Sequence, residues 1–203
     1  DSLKGSPHEG MACVECHSSL KGTQEFPHGT VKGVNCGECH QSALKQYMSG
    51  FFNKLQEMGY RGIPACIDCH GVHSMSRRAD TRRVCGLCHQ AELKLLSASV
   101  HAEAKPGSRP LVCTSCHEPH FKTRRGTMSD ADWRMTLVKN CMSCHRSESA
   151  DYLDSKHYNT LSAGDSLAPT CITCHGDHAI LSHRNPAAQT STERLDNLCA
   201  TCH

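Results

Sequence analysis

Sixteen cysteines fall into eight groups of one form, Cys-x-x-Cys-His, with none left over. They are Cys13, Cys16 and His17; Cys36, Cys39 and His40; Cys66, Cys69 and His70; Cys85, Cys88 and His89; Cys113, Cys116 and His117; Cys141, Cys144 and His145; Cys171, Cys174 and His175; Cys199, Cys202 and His203. Two thiols at this spacing can add across the two vinyl groups of one haem as thioethers. The next residue then sits beneath the iron, where a neutral imidazole is the proximal ligand. Structural zinc and disulfide scaffolds also use Cys-x-x-Cys pairs, but neither requires histidine in the next position. Histidine makes up 16 of 203 residues, so eight chance hits in eight come to roughly one in 10⁹, against the c-type haem signature. The motifs therefore imply eight haem c groups.

Eight histidines remain outside the motifs: His8, His28, His73, His101, His120, His157, His178 and His183. Eight irons need eight distal ligands if each is held by two histidines, and the numbers match. Three of these histidines follow a motif by only three residues, in CIDCHGVH, CTSCHEPH and CITCHGDH. A side chain so close behind the proximal ligand would have to wrap around the porphyrin edge to reach the same iron. His73, His120 and His178 are therefore expected to serve other haems, across turns at Gly71 and Gly176 or a link stiffened by Pro119. The seven methionines are expected to fill gaps rather than bind iron.

Something must position these ligands, and the chain has little apolar material for it. Aromatics are 4% of 203 residues and mean hydropathy is negative, so the porphyrin faces are expected to supply most of the interior. Motif starts are 23, 30, 19, 28, 28, 30 and 28 residues apart, room for a short helix or a loop. Leu44, Tyr47, Met48, Phe51, Phe52 and Leu55 recur at helical spacing, with Gly59 as a stop. Leu153, His157, Tyr158 and Leu161 form a second such face, and Leu93, Leu96, Val100 and His101 a third. Ser129 with Asp132 reads as an N-cap for a helix carrying Trp133 and Leu137. The expected fold is mainly α with extensive irregular loops, short helices wrapped around a chain of haems, and little or no β-sheet.

A shift of 105 residues superimposes two halves of the chain. Asn35, Tyr47, Gly59, Pro64, Ile67, Gly71 and His73 fall on Asn140, Tyr152, Gly164, Pro169, Ile172, Gly176 and His178, with their motifs. Two four-haem modules follow, 1–95 and 96–203. The repeat breaks at one ligand position, where His157 has Phe52 as its counterpart. That haem is expected to take His8, His28, a histidine of the second module or one from an adjacent subunit.

The stretch YLDSKHYNTLSAGDSLAPTCITCHGDHAI resembles the small periplasmic and extracellular multihaem cytochromes c of anaerobic respiration. Similar groups are the decahaem cytochromes of outer-membrane conduits, the pentahaem donors to nitrite reductase and the polymerising cytochromes of extracellular filaments. The resemblance implies that the eight motif histidines are proximal ligands and that His73, His157 and His178 occupy distal ligand positions. Phe52 departs from the pattern.

An electron-transfer protein with bis-histidine haems is the expected function, and a polymeric extracellular filament is a more specific form of it. The alternative is a multihaem reductase of a small nitrogen or sulfur oxyanion at one open haem. No motif carries the lysine that replaces the proximal histidine in nitrite-reductase relatives. The expected partners are redox proteins, a quinol-linked donor and a terminal or outer-membrane acceptor, with a homopolymer as a further assembly. A formal charge of +2 offers no nucleic-acid surface, and no run is long enough to span a membrane. Ferric haems with ionised propionates bring the net charge to about −6, and reduction brings it to about −14. The N-terminus, DSLKGSPHEG, lacks a charged-then-apolar pattern, so the numbering is expected to start after a cleaved signal, with the protein periplasmic or extracellular.

Overall fold

A Cys-x-x-Cys-His group suits one helical turn, because residues three and four apart share a face, and the chain folds it so. In the computed structural model, which describes residues 3–23, 30–75, 80–103, 109–120 and 128–203, the motif histidine N–H donates to the carbonyl of its first cysteine. The distances are 2.8–3.0 Å for His17, His40, His89, His117, His145 and His203. The other two motifs are themselves helices, Cys66–His70 and Cys171–His175.

The α-helices among the described residues run α1 (Cys13–Cys16), α2 (Gln41–Met48), α3 (Phe51–Glu57), α4 (Cys66–His70), α5 (Thr81–Gly86) and α6 (Gln90–Ser97). They continue as α7 (Asp130–Met142), α8 (Arg146–Leu153), α9 (Lys156–Ser162), α10 (Cys171–His175) and α11 (Leu195–Ala200). No strand occurs among the described residues, so the fold is mainly α with irregular connections. None of these helices is long and apolar enough to cross a membrane. The chain divides into two units, Asp1–Val84 with Glu118–Lys122, and Cys85–His117 with Thr123–His203. The fourth motif thus lies with the second unit, and the short segment carrying His120 lies with the first.

The single apolar face expected over Leu44–Leu55 is instead two helices, α2 and α3, broken at Gly50. The reason is local crowding. A Cβ on Gly50 would lie 2.7 Å from the His120 carbonyl oxygen and 3.1 Å from that of Tyr47, so the break admits the passing backbone of His120. The second unit breaks at the matching place, between α8 and α9, where the Ser155 hydroxyl accepts from Tyr158 N–H at 3.2 Å. Leu153 and the His157–Leu161 group therefore sit on different helices. Gly59 and Gly164 end the second helix of each pair with φ of 87° and 101°, conformations that glycine adopts without strain. Ser129 caps α7 as expected, accepting from Asp132 N–H at 3.1 Å.

One bond repeats across the units. The Tyr47 hydroxyl donates to the Pro64 carbonyl and the Tyr152 hydroxyl to the Pro169 carbonyl, each at 2.8 Å. Each bond ties a helix to the strand-like lead-in of a Cys-x-x-Cys-His turn. Replacing either tyrosine by phenylalanine should cost about 1 kcal/mol, read as a lowered denaturation midpoint. An unchanged midpoint in both variants would mean the ties contribute nothing net.

Side chains alone make a small interior. The buried apolar residues are Ala131, Val138, Leu161, Ala168 and Ala188, while Leu87 and Leu167 stand 67% and 86% exposed.

Candidate haem-binding sites

The eight motifs take two alternating local forms. In the first, third, fifth and seventh, the residue before the second cysteine reaches back to the N–H ahead of the first. Ala12 N–H donates to Glu15 at 2.7 Å, Ala65 to Asp68 at 2.7 Å, Val112 to Ser115 at 3.0 Å and Thr170 to Thr173 at 3.0 Å. These side chains hold the turn that places both sulfurs on one face, a capping role that sequence reading missed although an acid or hydroxyl stands at each position. The second, fourth and sixth motifs are instead followed at once by a helix, α2, α6 and α8. In two of these the second motif residue is glycine because a leucine seven residues on lies over it: a Cβ at Gly37 would run into Leu44, and one at Gly86 into Leu93.

The spare histidines are brought to the motif histidines in pairs. Ring centroids lie 5.7 Å apart for His8 and His40, 6.1 Å for His17 and His73, and 6.2 Å for His70 and His120. In the second unit they lie 6.0 Å apart for His101 and His145, 6.0 Å for His117 and His178, and 6.1 Å for His157 and His203. Each of these six pairs joins one motif histidine to one spare histidine. Two metal–nitrogen bonds of about 2 Å, with half an imidazole at each end, add to about 6 Å between centroids. The spacing thus fits one iron held axially between two rings. The His8 and His40 Nε2 atoms face each other at 3.4 Å.

His73, His120 and His178 face the histidines of the first, third and fifth motifs, not the proximal histidine just before each. His89, His175 and His183 are described but stand outside these six pairs, and His28 lies outside the described residues. His175 and His183 are both exposed.

The sulfurs follow the order of the motifs. Burial, then the neighbouring Cys66 thiol, pushes Cys36 up, with a smaller contribution from Cys16. In the second unit burial raises Cys116 with Cys144 adding to it, and raises Cys174 with Cys199 adding to it. Cys141 is pushed up by its hydrogen bond to Cys171, whose own thiol falls to about 7 through that same bond. Thioether formation removes these protons. What remains is the geometry at two places, where the Cys36 and Cys66 thiols and the Cys141 and Cys171 thiols of successive motifs meet in a hydrogen bond.

Burial favours the neutral form of one ring in each of two pairs. It lowers the His117 imidazole, with His178 adding, and lowers His120, with His70 adding. Both are thereby held neutral, the ligating state. Ser99 Oγ and Val100 N–H donate to the Ile180 carbonyl at 3.1 and 2.8 Å, fixing the segment before His101 against the one after His178. Arg134 donates to the Ala168 carbonyl at 2.8 Å, and Asn140 to the Cys116 carbonyl at 3.0 Å. Between the seventh and eighth motifs lies a cavity of about 620 Å³ lined by Thr173, Gln189, Arg194, Asn197, Leu198 and Thr201. Arg194 gives its wall a cation suited to a carboxylate.

Two family models match the chain. Residues 6–90 match the family described as cytochrome c3, and residues 94–176 match cytochrome c7 and related cytochrome c. A search of curated proteins found no match to the chain.

Proposed function

Because this chain belongs to the multihaem c-type cytochromes, we propose that its eight motifs bind eight haems and that it carries electrons along them in anaerobic or extracellular respiration. Multihaem electron transfer is what the family does, and the observation that carries the fuller reading is the set of six motif–spare histidine pairs at 5.7–6.2 Å. Bound haem supplies the one-electron iron couple. Two cysteines in each motif would hold the macrocycle, and in six of the sites a motif histidine and a spare histidine would both ligate its iron.

Two irons, the one above His89, where the repeat has Phe52 in place of His157, and the one above His175, remain for the spare histidines outside the six pairs. The redox partners are proteins with basic docking patches, since the loaded chain is acidic, and their contacts are small and salt-sensitive. A periplasmic or extracellular place suits haem attachment and the family. A polymer of this chain is the more specific form of the same function.

Intact mass should exceed the bare chain by eight haem groups. Low-temperature electron paramagnetic resonance of the oxidised protein should show low-spin haems only. Unmodified thiols would refute the haem count. A stoichiometric high-spin signal from one haem in eight would refute full coordination and favour the reductase of a small oxyanion.

A further inference from the structure

The two modules differ in what stands beside their ligand rings. In the second unit the Glu148 carboxylate lies 3.9 Å from His145 Nδ1, at the position three residues into α8. Asp177 lies 3.4 Å from His178 Nδ1. The same Asp177 oxygen accepts the His178 backbone N–H at 2.6 Å, which fixes it beside the ring. Glu92 repeats the first device on α6, 3.8 Å from His89 Nδ1.

The 105-residue repeat supplies the comparison. Glu148 has Ala43 as its counterpart, and Asp177 has Val72. The two histidine pairs concerned are matched by their counterparts: His101 and His145 by His8 and His40, His117 and His178 by His17 and His73. In those first-unit pairs the His8 and His17 Nδ1 atoms are buried with no hydrogen-bond partner. The same two positions therefore carry a carboxylate in one module and none in the other.

At 3.4 and 3.9 Å these carboxylates act on the ligand rings through their charge. Negative charge there opposes the gain of an electron at the iron and favours the ferric state. An Nδ1–H buried without an acceptor leaves the ring a weaker donor and favours the ferrous state.

We propose that Glu148 and Asp177 set a difference in redox potential between repeat-equivalent haems. The haems on His145 and His117 are the more reducing, and those on His40 and His17 hold an electron more tightly. In each step one electron enters or leaves an iron and no bond is made or broken. Of each repeat-equivalent pair of haems, the first unit's member thus holds an electron more tightly, and the carboxylates act as positioning residues for that bias.

This inference rests on the bis-histidine reading above, and the experiment separates the two. Glu148→Gln and Asp177→Asn holoproteins, with haem count checked by mass and low-spin state by paramagnetic resonance, are titrated in a thin-layer electrode cell. A wrong haem count or high-spin iron in the parent protein counts against the underlying reading. With that intact, each variant should raise the midpoint of one of eight one-electron steps by about 59 mV, a tenfold fall in its oxidised-to-reduced ratio at a fixed potential. The reciprocal Ala43→Glu and Val72→Asp should lower one step by a similar factor, which keeps the test open if a second-unit variant fails to mature. Shifts smaller than twofold in either set, or shifts of the opposite sign, overturn the proposal.

Discussion

Replacing His120 by alanine should give a protein with all of its haems attached and one haem in eight converted to high spin. Cys66, Cys69 and His70 still hold that haem, so the haem count does not fall. What is lost is the ring that faces His70 at 6.2 Å. Burial, with His70 beside it, keeps the His120 imidazole neutral, and alanine offers no donor in its place. Gly50→Ala should produce part of the same signal without touching either ring. Its Cβ would sit 2.7 Å from the His120 carbonyl oxygen, closer than real Cβ contacts allow, so the His120 backbone must move. Because both changes act on one ligand, the double variant should show no more high-spin haem than His120→Ala alone. A fully low-spin spectrum in His120→Ala would mean that another residue caps the iron above His70. An additive double variant would mean that Gly50 acts elsewhere.

Leu161→Ala should cost about 2–5 kcal/mol, a large share of the roughly 5–15 kcal/mol that folded chains hold in reserve. Leu161 is 1% exposed and packs with Val138, which is fully buried, and with Ala131 and Ala168. Few apolar side chains in this unit are buried against polypeptide, so little can move in to fill the gap. The helix concerned, α9, also carries His157 one turn earlier, where its ring faces His203 at 6.1 Å. Urea denaturation of the holoprotein, followed by circular dichroism, should show the lowered midpoint. A loss below about 1 kcal/mol would mean that the porphyrin faces close over the cavity.

The chemistry was legible because covalent attachment is written locally. Thioether formation and proximal ligation need two thiols and an imidazole within five residues, and every cysteine of the chain stands in that pattern. The helical turn that presents them follows from the same spacing, and the fold class follows from having eight such turns and little else to bury. The match between eight spare histidines and eight irons was also a matter of counting.

Other features depended on residues far apart in sequence. The helical face over Leu44–Leu55 satisfies its local period, yet the chain breaks it at Gly50 because the His120 backbone, seventy residues later, passes there. The pairing of His8 with His40, and of His157 with His203, has no local signal, since neither histidine of a pair constrains the other until the chain has folded. The Glu148 and Asp177 carboxylates were plain in the sequence, but only the tertiary structure set them beside the His145 and His178 ring nitrogens. Residue identity and spacing thus determined what is bound and by which turn. Tertiary structure decided which histidines face one another and which groups stand behind them, because a pair of facing rings and the charges beside them join points that the covalent chain does not.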